Sequence, residues 1–329
     1  MNTFGRLFRI HIFGESHGES VGVIIDGCPA GLAINHQALS TDLDRRKGGK
    51  KGTTPRQEAD TPLFKSGIFN GTTTGAPITI LFENNNTRSE DYEKQRAIPR
   101  PGHADFVAHQ KYGGFEDYRG GGHFSARLTT GIVAAGAIAK QLLKDVSIEA
   151  TITEIAGEKD VEKGLEKAIA QKDTVGGIIE CCVKNLPIGL GEPFFDSVES
   201  QLAHALFAIP AVKGVEFGNG FEAARLFGSQ NNDTIINEQG KTATNNAGGI
   251  NGGITNGNDL VFRIAIKPAS STPKEQESWN WETQQMEQFS VKGRHDLCVA
   301  LRAPVIVEAM TAIVLCDFLL LEQKIGKVL

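Results

Sequence analysis

Three histidines in this chain have neighbours that could turn them into acids or bases. FGESHG (13–18) sets Ser16 beside His17 between glycines, RPGHAD (100–105) groups Arg100, His103 and Asp105, and GRHD (293–296) puts Arg294 close to Asp296. Imidazole titrates near neutral pH and can pass a proton, while a guanidinium fork matches carboxylate and phosphate oxygens. An arginine beside an acid/base group therefore suggests a pocket that binds an anion and moves a proton. Gly14-Glu15-Ser16-His17-Gly18 also spells G-x-S-x-G, the turn that carries a hydrolase's serine nucleophile. That turn needs a helix after it and an oxyanion-hole loop earlier in the chain. Only 15 residues precede Ser16, and ESVGVIIDG (19–27) reads as a strand, so the hydrolase reading fails and His17 is the stronger candidate.

Anion-binding signals surround these histidines. In RGGGHFSAR (119–127) glycines precede a helix N-terminus, where free N–H groups and the helix dipole favour phosphate. DRRKGGKKGTTPRQEAD (44–60) reads as a basic, flexible loop with Arg45, Arg46, Lys47, Lys50, Lys51 and Arg56, and NNAGGINGG (245–253) offers unobstructed backbone donors. Each of these stretches alone could be an ordinary loop, cap or solvated charge run. Neither glycine-rich stretch has the spacing of a dinucleotide-binding or P-loop fingerprint. Together they indicate an enzyme for phosphorylated, acidic ligands with histidine acid/base groups, and leave the reaction unnamed.

The elements that must position these groups alternate along the chain. Strands are expected over 7–13, 22–27, 67–71, 76–82, 175–184, 212–220 and 260–268. Helices are expected over 35–46 (capped by Asn35), 125–143 (capped by Ser125), 160–172, 195–209 and 303–321, with loops at 84–91 and 244–259. No interior stretch has linker composition, which suggests one continuous α+β domain over 1–329. Gly122-His123 before one long helix and Arg294-His295 before another form a weak internal echo that would fit a duplicated strand–helix plan.

Bulk properties narrow the class. A chain of 329 residues, 40% hydrophobic, can bury a large core, and a net charge of -5 argues against general nucleic-acid binding. The N-terminus lacks the features of a secretory leader, which suggests a cytoplasmic location. The longest apolar run (303–321) contains Glu308 and Asp317, so a buried core helix is expected rather than a membrane span. Five cysteines without C-x-x-C spacing suggest reduced core thiols and no metal centre.

FGESHG, DLDRR, RPGHADF, YRGGGHFSAR followed by VAAGAIAK, NNAGGINGGITNG and GRHDLCVALRAPVIVEAM occur in that order from residue 13 to residue 310. In these blocks the sequence closely resembles the chorismate synthases. The resemblance implies a β-α-β sandwich with helices between antiparallel sheets, assembled as a homotetramer. It implies anti-1,4-elimination of phosphate from 5-enolpyruvylshikimate 3-phosphate to give chorismate, the last step of the shikimate pathway. Such enzymes require reduced FMN (FMNH2), thought to lend an electron transiently. The reducing power would come from outside, NADPH-linked and through a separate flavin reductase.

Carried over by position, the resemblance makes His17 the acid for the leaving phosphate. It makes His103 the group beside reduced flavin, and Asp296 a relay in removing the ring proton. Ser16, Arg45, Arg46, Lys51, Arg100 and Arg127 fall at substrate-binding positions. His123, Ser125, Ala211, Gly252, Lys267, Pro268, Ala269, Ser270, Ser271 and Arg294 fall at FMN-binding ones. Relatives often have Arg-Ser-Ser where this chain has His123-Phe124-Ser125, and the basic loop is one residue shorter around Lys51. The competing reading is a non-catalytic binder of flavin or a phosphometabolite with the same fold. The trio His17, His103 and Asp296 argues against it, since binding alone requires no such acid/base set.

Overall fold

The computed structural model describes residues 1–87, 96–291 and 293–323. The first sheet contains β1 (Thr3–Phe4), β2 (Arg9–Gly14), β3 (Ser20–Asp26), β4 (Leu63–Ser66) and β5 (Ile78–Glu83), in the order β1-β2-β3-β5-β4 with every pair antiparallel. Alternate residues of its middle strands, Val21, Val23 and Ile25 on β3 and Ile78, Ile80 and Phe82 on β5, are fully buried. That is the period of two expected when one face covers a core. The second sheet, also antiparallel, runs β8-β9-β7-β6 and comprises β6 (Ser147–Ile155), β7 (Gly177–Lys184), β8 (Val212–Phe217) and β9 (Leu260–Ile266). Ile179, Cys181 and Val183 with Leu260, Phe262 and Ile264 form its inner face.

The longer helices among the described residues are α1 (His36–Arg46), α2 (Asp105–Tyr112), α3 (Thr129–Leu142), α4 (Val161–Gln171), α5 (Val198–Phe207) and α6 (Pro304–Leu321). The two apolar helices α3 and α6 pack on each other between the sheets, α3 against β3 and α6 against β6. This is the expected α+β sandwich with helices inside, and one hydrophobic cluster runs through both sheets and both helices. Small residues set the spacing. A Cβ on Gly136 would stand 2.3 Å from Cα of Ala309, and one on Gly131 would stand 2.9 Å from the Gly22 carbonyl oxygen. Helix α6 is long and apolar enough to cross a bilayer, yet it is mostly buried in the fold.

Both acidic residues of α6 have partners. Glu308 accepts from Arg45 at 2.6 and 2.7 Å, from Lys140 at 2.9 Å and from the Ala150 amide at 3.2 Å. Burial works against ionisation there, but Arg45 and Lys140 outweigh it and hold the carboxyl below its usual range. Asp317 accepts the backbone N–H groups of Arg6, Leu7 and Phe8, fastening the start of the chain to its last helix. All five cysteines are free thiols, four of them buried, and burial pushes Cys28 up to about 12.

The structure departs from the sequence expectation at several places. Helix α3 starts at Thr129, because Ser125 caps a separate 3-10 turn over Ala126–Leu128. Gly120, Gly121 and Gly122 before it take φ of 61°, 81° and 52°, which turns the chain where an L side chain would be strained. The strand expected over 67–71 shrinks to Ile68–Phe69 paired with Thr72–Thr73, with Asn70 and Gly71 at positive φ as a tight two-residue turn requires. Strands β1, β4 and β6, helix α2 and a hairpin of Gln276–Asn280 with Gln285–Phe289 were not anticipated. The loop over 244–259 contains a short hairpin at 250–251 and 254–255. Part of the expected loop 84–91, residues 88–91, and the terminal KIGKVL lie outside the described residues.

Gly136→Leu should force the two central helices apart. Overpacking in a core costs roughly 1–3 kcal/mol or more, read as a lower urea midpoint with the slope unchanged.

Candidate active site

A cavity of about 720 Å³ is lined from both sheets and the helix layer, within the ~300–1,000 Å³ range of small-molecule sites. Its wall includes His17, His103 and Asp296 together with Ser16, Arg46, Arg100, Arg127 and Arg294. His123, Ser125, Ala211 and the run Lys267, Pro268, Ala269, Ser270 and Ser271 also line it. Arg45, Lys51 and Gly252 are not among the lining residues. Arg45 turns into the Glu308 cluster, Lys51 pairs with Glu162 at 3.3 Å on the surface, and Gly252 sits exposed on the 250–255 hairpin.

His17 follows the first strand of the β2–β3 hairpin and is 8% exposed. Its ring lies against the backbone of Gly120, where a Cβ would come within 2.4 Å of the ring, so the turn needs glycine there. Burial, then the nearby Arg56, lowers its pKa from 6.5 to about 4, with Arg119 and Arg294 in the same direction and Asp117 opposing. Beside it, Ser16 Oγ accepts from Arg56 at 3.1 Å and the Ser16 carbonyl accepts from the same guanidinium at 3.2 Å.

His103 precedes α2, and its Nδ1–H donates to Asp105 Oδ1 at 2.5 Å, which leaves Nε2 as the other reactive nitrogen. Arg100 donates to both oxygens of Asp105 at 2.7 Å and to Ser271 Oγ at 2.9 Å. Arg100 Nη2 also stands 3.0 Å from His103 Nδ1, but two donors cannot bond each other, so the carboxylate is the partner of both. Burial opposes the charge on Asp105, yet Arg100 and His103 together hold it far below the usual carboxylate range.

Asp296 Oδ1 accepts the Thr54 amide at 2.8 Å, and Oδ2 accepts from Arg302 at 2.9 Å. Arg302 also donates through Nε to the Arg46 carbonyl at 2.8 Å. Arg294 binds Asn86 through its side-chain oxygen at 2.9 Å and its carbonyl at 3.0 Å. The stretch 44–60, expected to be a flexible basic loop, is instead pinned at these points. Arg46 pairs with Asp60 at 2.6 Å, Arg127 meets the other Asp60 oxygen, and Arg56 donates to Glu58 at 2.8 Å.

On the opposite wall Lys267 Nζ donates to Ser270 Oγ at 2.7 Å and to the Gly102 carbonyl at 3.1 Å. Burial lowers its pKa, with Lys213 adding to the effect. His123 Nδ1 lies 2.8 Å from the Gly14 carbonyl oxygen and Nε2 lies 3.1 Å from Asn2 Oδ1, so both ring nitrogens face protein oxygens. Ser125 Oγ accepts the Arg127 amide at 3.3 Å, and Ala211 adopts a φ of 74° while its carbonyl accepts the Lys267 amide at 2.9 Å. Sequence reasoning did not assign Asp60, Glu58 or Arg302 to the site. The signal for the first two was present: QEAD ends the basic run with two acids, and a cationic loop that carries its own counter-ions is suited to folding inward.

Cations prevail around the cavity, with Arg46, Arg56, Arg100, Arg127, Lys267, Arg294 and Arg302 set against Glu58, Asp60 and Asp296. Combined with three separate acid/base groups, this arrangement suits an enzyme that handles a small, multiply anionic metabolite. The comparisons agree. The chorismate synthase family model matches residues 8–320. The chorismate synthase of Chitinophaga pinensis is 67% identical over 329 residues, covering 100% of this chain and 99% of that protein. That of Archaeoglobus fulgidus is 45% identical, covering 99% of each. A crystal structure of chorismate synthase superposes with a TM-score of 0.75 at 27% identity, covering 98% of this chain and 94% of the other. The chain belongs to the chorismate synthase family.

A folded pKa of about 4 against 6.5 has a definite sign. The unfolded chain takes up the His17 proton first, so this residue lowers stability as pH falls from 6.5 to about 4 and adds nothing further below. Histidine NMR titration should find one ring with a midpoint near 4, absent in His17→Gln.

Proposed function

We propose that the protein is a lyase that converts 5-enolpyruvylshikimate 3-phosphate to chorismate by anti-1,4-elimination of phosphate, with reduced FMN as cofactor. The observation that carries this reading is the convergence of His17, His103 and Asp296, from three distant segments, on one cation-rich cavity. The cavity residues also fit a flavin mononucleotide. Phe124, Leu128, Ile132, Ala211 and Met310 offer an apolar wall for a ring system, while Lys267, Ser270 and Ser271 offer donors to a phosphate. Reduced flavin, when bound, supplies an electron that is lent and recovered and so eases departure of the phosphate.

The chain's own residues do the rest. Arg46, Arg100, Arg127 and Arg294 bind the carboxylates and phosphate of the substrate and hold its ring in place. His17 is neutral before substrate arrives, because burial and the arginines around it disfavour a second positive charge. A phosphate dianion next to it reverses that balance, raises its proton affinity and lets Nδ1 or Nε2 hand a proton to the departing oxygen. His103 is fixed by Asp105, so Nε2 presents either a proton or a lone pair at one defined place. Asp296, braced by Thr54 and Arg302, keeps a carboxylate near the ring proton that must leave.

Exposed Phe194, Phe195, Phe221 and Phe227 are apolar surface that a subunit interface would cover, which suits the expected homotetramer. Free thiols favour the cytoplasm. A separate NADPH-linked reductase would supply the reduced flavin, as the resemblance implies.

The test is an anaerobic assay with chemically reduced FMN and the substrate, following chorismate absorbance and phosphate together. Equal formation of both, absent with oxidised FMN, is expected; binding of both ligands without turnover would leave the non-catalytic reading. His17→Ala should lower kcat by roughly 10²–10⁴ while FMN affinity changes little, as for loss of a general acid.

A further inference from the structure

We propose that Asp60 is a positioning residue for substrate binding: its buried carboxylate holds Arg46 and Arg127 as one fixed pair aimed at a single anionic group, phosphate or carboxylate, of the substrate. The proposal rests on the reading above in which these arginines bind substrate.

The Asp60 side chain is wholly buried, and each of its oxygens meets a different guanidinium. Its backbone has a φ of 51°, unfavourable for aspartate, and such a conformation persists only where the surroundings over-determine it. Arg127 gives three more of its five N–H groups to Asn84 at 2.9 Å, the Glu83 carbonyl at 3.2 Å and Thr130 at 3.3 Å, so its place in the wall is set by protein contacts while one Nη2 N–H is left for a ligand. Arg46 is different. It is 3% exposed, it lines the cavity, and its Nε has no hydrogen-bond partner among the described residues. A buried arginine donor without a partner is uncommon, and it leaves Arg46, beside the cavity, with hydrogen-bonding capacity that the described residues do not use.

Charge supplies the second argument. Arg127 faces Arg46 from the turn before α3, Arg302 faces it from the far loop with Asp296 as its own partner, and Arg56 and Glu58 pair on the same loop as Asp60. Burial brings Arg46 down to about 10, Arg302 and Arg127 push it the same way, and Asp60 opposes them. Without the Asp60 carboxylate the two buried guanidinium groups would stay charged and face each other with no counter-ion between them. Anion binding would then weaken because the pair is no longer held in one place.

Substrate binding by the native protein is measured first, since its absence would remove the functional reading and not this proposal. Asp60→Asn should then raise KM roughly 10-fold or more with a much smaller change in kcat. Asp60→Glu, which keeps the carboxylate, should restore most of the native KM. Competition by inorganic phosphate or by acetate, weakened in the variant, identifies which anionic group the pair grips. A native KM in Asp60→Asn would overturn the proposal, as would equal losses in both variants. If Asp60→Asn does not fold, Asp60→Asn/Arg127→Gln removes one of the two cations left facing each other. The double variant should fold and bind substrate more weakly than the native protein, and its failure to fold would overturn the proposal.

Discussion

A charge taken out of water must be neutralised where it is buried, and this requirement organises the fold from its centre to its active site. Helix α6 carries two carboxylates into an otherwise apolar layer, and each determines a contact that apolar packing alone would leave undefined. Glu308 draws Arg45 and Lys140 together and so fixes α1 and α3 against the second sheet. Asp317 gathers three consecutive backbone amides and fixes where the first sheet begins. An unpaired partner in any of these groups would be costly, so the elements have few alternative registers. Around the cavity the same rule works with the signs reversed: arginines are the majority, and Asp60, Asp105 and Asp296 hold them in place.

Neighbouring residues in the sequence take opposite duties under this constraint. Arg45 and Arg46 are adjacent on a helix, roughly 100° apart around its axis, and so point to different places. Arg45 serves the buried cluster and Arg46 lines the cavity. The resemblance to relatives placed both at substrate-binding positions because identity at a position says nothing about direction. Lys51 is the other instance: it lies in the shortened basic loop, and here it reaches Glu162 on the surface.

The sandwich was legible in outline because its strands and central helices carry strong, simple patterns. Alternation marks 22–27 and 76–82, and an uninterrupted apolar run marks 303–321. Short or mixed elements were not legible. Helix α2 (DFVAHQKY) has little apolar periodicity, β1 is two residues long, and the hairpin at 276–289 is mostly polar. At the site, histidines flanked by glycine or arginine were visible as residue types with special neighbours. Of their supports, Thr54 and Arg302 were not, because they become relevant through contacts with residues far away in the chain, whereas Asp60 stood in the QEAD that ends the basic run. The basic loop was misjudged for a related reason, since its flexibility is removed by the distant Asp296 and Ser16 as well as by Glu58 at its own acidic end.

Those distances have a consequence for how the protein comes into being. Thr54 meets Asp296 across 242 residues, Arg302 meets Arg46 across 256, and Arg294 meets Asn86 across 208. Contacts of such separation form slowly and late. During synthesis the first sheet and α3 can take shape while the segment that completes the cavity is still within the ribosome. A half-made chain therefore displays several of the arginines without the contacts that hold them in place, and lacks Asp296. Ability to bind the anionic metabolite arrives as the last long-range contacts close, so it reports that the molecule has finished folding.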